Sequence, residues 1–185
     1  MQKTMTRAHD DPLGRLFQLQ IRSNAFHSMN IQRYGFTMAV VKNKMYSIGG
    51  MDGSNFLSSV EQTQSGASTW QFVSSMSTAR FSHSSAVIGD SIFVTGGHKG
   101  VAFLNSVEEL DTSTGSWSPI AAMNAKRWHH GSIVLDGRLV VFGGYDQRFN
   151  LLCSIETYES EPGNQWNLEP FAMPECTSEF GWALV

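Results

Sequence analysis

The stretch Met45–Gly53, MYSIGGMDG, runs four strand-like residues into two glycines and then into a polar turn. Glycine loses more backbone freedom on folding than any other residue, so a pair at a strand end needs a reason. The ending recurs. SIFVTGGHKG passes through Gly96 and Gly97, and LVVFGGYDQ passes through Gly143 and Gly144, so with Gly49 and Gly50 the pairs lie 47 residues apart, twice.

Other residues keep the same beat. Met29, Met76 and Met123 are spaced by 47, as are Arg33, Arg80 and Arg127. Leu57 and Leu104 match, and Leu152 falls one residue late. Val60-Glu61 and Val107-Glu108 match, and Ile155-Glu156 falls one late. Trp70 and Trp117 are 47 apart, and Trp166 falls two late because the loops around it are longer. A period near 50 with paired glycines predicts a propeller array.

Each unit reads as four strands. After each Arg comes an apolar stretch, YGFTMAVV, FSHSSAVI or WHHGSIVL. The second strand, MYSI, SIFVT or RLVVF, is a continuous apolar run and suits burial on both faces. A loop leads to SSVEQT, SVEELD or SIETYE, and the fourth strand starts at the tryptophan. No apolar stripe at helical spacing persists. Such sheets stack face to face around an axis. The glycine pair is expected where the second strand nears the crowded centre and a Cβ finds no room. The repeated Trp is expected to fill space between sheets.

The remaining composition bounds the function. The 185 residues suffice for a sizeable core, and a net charge of −3 with scattered basic residues provides no stripe for nucleic acid. No apolar run approaches the roughly 20 residues of a membrane span. The start, MQKTMTRAHDDPLG, has no apolar leader stretch. Cys153 and Cys176 have no repeated counterpart, and a reducing, cytoplasmic setting is expected.

Together, Met-x3-Arg, a following His or Phe, the glycine pair, Ser-Val-Glu and a Trp ahead of a Met resemble the kelch repeat. The resemblance covers Met29 to Met173 as three units: 29–76, 77–123 and 124–173. It implies an all-β, kelch-type β-propeller, here partial, with three complete four-stranded blades and the start of a fourth at 174–185. In that start Phe180 takes the place of His83 and His130, Leu184 that of Val87 and Val134, and Thr177 stands where Arg is expected. Residues 1–28 read as an N-terminal segment, the remnant of a preceding blade. The chain looks most like the kelch half of BTB–kelch proteins, substrate adaptors of cullin-3 ubiquitin ligases, although it contains no BTB segment. The resemblance also covers kelch proteins that bundle actin, and propeller enzymes that are copper oxidases or process sugars.

In four-stranded antiparallel units the loops after the second strand share one rim with the crossovers between units. These loops, MDGSNF, HKGVAF and YDQRFN, differ most from unit to unit. Loops on a rigid frame are the usual place for binding. The expected protein-binding rim comprises Tyr34, Met51, Asp52, Asn55, Phe81, Ser82, His98, Lys99, Trp128, His129, Tyr145, Gln147, Arg148 and Asn150. Aromatics and Arg are enriched anchors of protein interfaces, and Lys99 and Arg148 favour a carboxylate or phosphate on the partner. The competing reading makes Tyr34, Phe81 and Trp128, which repeat, half-buried packing, and the charges a solvated rim. Arg33, Arg80, Arg127, Glu61, Glu108, Glu156, the glycine pairs and Trp70, Trp117 and Trp166 read as scaffold. Each Glu is expected to pair with an Arg or to bind backbone groups, since a lone buried charge is expensive.

Catalysis is not expected. His129 and His130 are adjacent and would point to opposite faces of a strand. No metal-ligand spacing, phosphate loop or nucleophile motif stands out. No cofactor or metal is expected, and the expected partner is a protein or peptide.

Overall fold

The computed structural model of the chain describes residues 27–160 and 163–178. The expected remnant of a preceding blade in residues 1–28 lies almost wholly outside these residues, as does the part of the expected fourth blade beyond residue 178. What is described is all-β: three four-stranded antiparallel sheets and one two-stranded hairpin, as in an arc of a propeller.

The first sheet takes β1 (Thr37–Val41), β2 (Lys44–Ile48), β3 (Val60–Gln64) and β4 (Gln71–Val73) in chain order. The second contains β5 (Ser84–Ile88), β6 (Ser91–Thr95), β9 (Val107–Asp111) and β10 (Ser116–Ile120), with the hairpin β7 (His98–Lys99) and β8 (Ala102–Phe103) inserted between β6 and β9. The third contains β11 (Gly131–Leu135), β12 (Arg138–Phe142), β13 (Ser154–Glu159) and β14 (Gln165–Ala172). The inserted hairpin was not legible, because its strands are only two residues each.

The registers explain why the second strands carry apolar residues on both faces. In the second sheet Val87, Ile92, Leu110 and Trp117 align across one face. They join Ala39, Tyr46, Ile48 and Val60 of the first sheet in one core cluster. The alternate residues Ala86, Phe93 and Val107 meet Leu139, Val141, Tyr158 and Trp166 of the third sheet in another. Ile92, Phe93 and Val94 are consecutive and all buried, because their strand lies between two cores. Burying each such side chain contributes about 1.5–3 kcal/mol.

The tryptophans latch each sheet to chain ahead of it. The indole of Trp117 donates to Ser74 O at 2.9 Å, and that of Trp166 to Ala121 O at 2.8 Å. Trp70 repeats the bond to His27 O at 2.8 Å, which places His27 where the end of a preceding fourth strand would be.

One expectation needs correcting. The first strands, β1, β5 and β11, are the ones that neighbour each other from sheet to sheet, so they and not the second strands run closest to the centre. The glycine pairs are crowded from another side, by the crossover into the following sheet. Gly50 donates to Arg80 O at 2.8 Å and Gly97 to Arg127 O at 2.7 Å. A Cβ on Gly49 would lie 2.7 Å from the His83 ring and 2.9 Å from Arg80 O. Gly49 and Gly50 also hold φ of 64° and 91°, a region that disfavours side chains.

Cys153 and Cys176 are joined in a disulfide, which closes a separation of 23 residues. The absence of a repeated counterpart gave no hint of this, and the pairing removes the cysteine argument for a reducing compartment.

Candidate functional site

The rim rests on a buried ionic frame. Arg33 Nη2 lies 2.6 Å from Glu61 Oε1, Arg80 Nη2 3.0 Å from Glu108 Oε1, and Arg127 Nη2 2.9 Å from Glu156 Oε1. The other terminal guanidinium nitrogen of each, Nη1, donates to the carbonyl of the first glycine of the pair and to that of the serine at or just before the start of the third strand. For Arg80 these bonds are 2.8 Å to Gly96 O and 2.9 Å to Ser106 O. The second carboxylate oxygens accept backbone amides; Ser77 donates to Glu108 at 2.7 Å and Asn124 to Glu156 at 2.6 Å. Burial alone would raise the Glu108 pKa, but the bonds from Ser77 and Arg80 outweigh it and hold the carboxyl below its ordinary value. Each unit thus nails the chain entering it to its own glycine pair.

Above that frame, three short ladders carry the expected site residues. Tyr34 and Met51 exchange two backbone hydrogen bonds, as do Phe81 and His98, and Trp128 and Tyr145. A third member closes each ladder: Phe56 against Met51, Phe103 against His98, and Leu151 against Tyr145. Rings touch both within a ladder and from one ladder to the next. Ring centroids lie 5.3 Å apart for Tyr34–Phe81, 5.1 Å for Phe81–His98, 5.5 Å for His98–Trp128 and 5.1 Å for Trp128–Tyr145. Phe103 and Phe149 meet at 5.7 Å and both also reach Trp128. A continuous aromatic belt therefore crosses all three units. Tyr34 is 51% exposed and Phe149 64%, whereas Phe81, His98, Trp128 and Tyr145 are half-buried.

The two sequence readings of Tyr34, Phe81 and Trp128 meet here: their rings pack from unit to unit and still line the surface. Phe56, Phe103 and Phe149 lie in the loops expected to bind but were not singled out within them. Phe56 and Phe103 lie 47 residues apart, so the beat that revealed the scaffold also marked them.

The charged and amide residues divide by role. Asp52 accepts the amides of Ser54 at 2.9 Å and Asn55 at 2.7 Å. Asp146 accepts those of Arg148 at 2.7 Å and Asn150 at 2.9 Å. Hydrogen bonds from Asn55 hold the Asp52 carboxyl below its ordinary value, and bonds from Asn150 do the same for Asp146. These carboxylates, with Asn55 and Asn150, shape their loops. Lys99, Gln147 and Arg148 are exposed at the loop tips, beside Val101, which is 96% exposed. Ser82 is buried, and its hydroxyl lies 3.3 Å from His129 Nε2.

His129 and His130 do not alternate on a strand as expected. His129 takes a φ of 52° ahead of β11 and packs on Trp128, with ring centroids 4.7 Å apart. His130 is buried and reaches Thr95 Oγ1 at 2.8 Å. His83, its counterpart, reaches Ile48 O at 3.1 Å. Burial, with Arg80 nearby, lowers the His83 pKa to about 3, so the ring is a neutral packing piece. Among the described residues no group of three His, Cys, Asp or Glu gathers as a metal site, and no helix is long and apolar enough to cross a membrane.

On the opposite rim Lys42 Nζ and Asp90 Oδ2 form an exposed ion pair at 2.5 Å between the first and second units. The outward face of the third sheet holds a groove of about 620 Å³ lined by Ile133, Leu135, Val140, Phe142 and Phe171.

A family model described as the KLHDC2/KLHL20/DRC7 Kelch-repeats domain matches residues 16–161. No curated protein matches the chain.

Proposed function

The chain belongs to the kelch-repeat domain family, and on that premise we propose that it is a non-catalytic protein-interaction module that captures a partner on the rim of Tyr34, His98, Trp128 and Tyr145. One observation carries this reading: the aromatic belt runs unbroken across three units while keeping exposed edges at Tyr34 and Phe149. Rigid, half-buried aromatics give large contact area at small entropic cost, and they are the anchors of interface hot spots. Lys99 and Arg148 stand exposed at the tips of adjoining loops and add attraction for an acidic partner segment.

Within this class the reading we favour is target recognition for a cullin-3 ubiquitin ligase in the cytoplasm, with a BTB region supplying the cullin contact. Actin binding is the second reading. Two measurements separate them: co-sedimentation of the chain with filamentous actin, and pull-down of partners by the chain joined to a BTB region, probed for cullin-3 and for a co-captured target. Pelleting with actin and no co-captured target overturns the adaptor reading. Capture of a target that Tyr145→Ala/Arg148→Ala abolishes supports it.

A further inference from the structure

We propose that the Cys153–Cys176 disulfide is a redox-controlled latch. Oxidised, it holds the chain leaving the third sheet against that sheet and fixes the Gly144–Tyr145 end of the rim. Reduced, it lets both loosen.

The argument starts from what the repeat does elsewhere. The chain leaving the first sheet is held backwards by two bonds, from Gly50 N to Arg80 O and from Arg80 N to Leu57 O. It is also held forwards, because the Arg80 side chain grips Gly96 O, Ser106 and Glu108 in the sheet that follows. The chain leaving the second sheet is held the same way. Arg127 accepts from Gly97, donates its amide to Leu104 O, and grips Gly143 O, Ser154 and Glu156.

After the third sheet two anchors differ: among the described residues Thr177 N makes no bond to Leu151 O or Leu152 O to match that of Arg80 N to Leu57 O, and the arginine itself is replaced. Gly144 N still donates to the carbonyl at the matching position, Thr177 O, at 2.8 Å. Threonine has no guanidinium, so this position cannot grip forwards as Arg80 and Arg127 do. The neighbouring positions carry the substitute. Cys176 stands where the earlier units have Ala79 and Lys126, and Cys153 where they have Ser58 and Asn105. Their Cα atoms are 4.2 Å apart, and the disulfide binds the departing chain backwards onto the start of β13. A covalent bond thus appears, among the described crossovers, at the one where threonine replaces the gripping arginine.

The latch reaches the rim in two short steps. Cys176 precedes Thr177, whose carbonyl holds Gly144, and Gly144 precedes Tyr145, which exchanges two hydrogen bonds with Trp128. It is also reachable: Cys176 is exposed and Cys153 half-buried. A dithiol reductant cleaves the S–S bond by thiol–disulfide exchange. Its two thiols become a cyclic disulfide, and each cysteine sulfur takes one of the released protons.

Amide hydrogen exchange of the whole chain, with and without dithiothreitol, tests this. The Gly144 and Tyr145 amides, bonded to Thr177 O and Trp128 O, are expected to exchange at least about tenfold faster after reduction. The Gly50 and Gly97 amides, which make the matching bond beside no disulfide, should not change. Cys153→Ser should exchange at the fast rate with or without dithiothreitol. Cys176→Ala, which restores the residue at position 79, provides a second variant should the first fold poorly. Equal Gly144 exchange in both redox states overturns the latch, and so does equal acceleration at Gly50 and Gly97. The effect on partner capture rests on the rim reading, whereas exchange is read without a partner. Faster Gly144 exchange with unchanged capture therefore supports the latch and counts against the rim.

Discussion

Gly97 donates its amide to the carbonyl of Arg127 across 2.7 Å, tying the end of β6 to the chain that enters the third sheet. A Cβ on Gly97 would lie 2.8 Å from Phe81 O and 2.8 Å from His83 Cβ, at a φ of 86°. Gly97→Ala therefore meets both backbone strain and a clash with atoms that cannot move aside, and should cost about 2–4 kcal/mol. Gly115→Ala separates the two effects, because Gly115 holds a φ of 73° with nothing within 4 Å of an added Cβ. It should cost about 1 kcal/mol. Denaturant titration of both variants checks this, and equal losses would falsify the close-approach account.

Arg80 and Glu108 are both buried, and each neutralises the other. Glu108→Ala strands a guanidinium and frees two backbone amides, those of Ser77 and Thr78. The expected loss is about 3–5 kcal/mol. Arg138 and Glu159 offer the contrast, 3.7 Å apart with Arg138 largely exposed. Glu159→Ala should cost no more than about 1 kcal/mol. A thermal midpoint for Glu108→Ala as high as that for Glu159→Ala would remove the ionic frame from the account of the fold.

How far the sequence could be read follows from what the 47-residue beat contains. Arg80, Glu108, Trp117 and Gly97 do the same job in every unit, so repetition marks them. Rim residues split. Phe56 and Phe103 repeat and were overlooked because their loops were read as the part free of the beat. Phe149 does not repeat and is visible only in the structure, through its contacts with Phe103 and Trp128. The disulfide lies at the opposite extreme. It occurs once, at the crossover where Thr177 replaces Arg, and a period cannot announce its own exception. His129 shows a third limit: adjacency in sequence implied alternation on a strand, but its φ of 52° puts the backbone outside strand geometry.

His83 should make stability depend on pH. Its ring is buried, and its pKa falls from 6.5 to about 3 in the folded chain. The unfolded chain therefore binds a proton first as pH drops. The stabilisation is complete above pH 6.5 and is lost progressively towards 3, at about 1.4 kcal/mol per pH unit. Phe36 occupies the matching slot in the first unit, so His83→Phe is a substitution that the fold already uses. Between pH 7 and pH 5 the variant should lose roughly 2 kcal/mol less stability than the wild type. Parallel denaturation curves at the two pH values would show instead that His83 is charged or exposed in the folded chain.

Capture at the rim should separate from folding at Phe149 and Arg148. Phe149 is 64% exposed, so Phe149→Ala removes contact area offered to a partner more than core packing. Arg148→Ala removes an exposed charge while leaving its amide bond to Asp146 in place. Together they should weaken partner capture at least tenfold and shift the stability by no more than about 1 kcal/mol. Trp128→Ala should lose capture and stability together, because its ring touches His98, Phe103, Tyr145 and Phe149 at once. The comparison on the opposite rim is Lys42→Ala/Asp90→Ala, which removes an exposed ion pair as a whole and should change stability by no more than about 1 kcal/mol. Binding measured with the same partner for all three variants assigns the face. If Lys42→Ala/Asp90→Ala loses the partner while Phe149→Ala/Arg148→Ala keeps it, the partner sits on the opposite rim, and the aromatic belt serves only to hold one unit against the next.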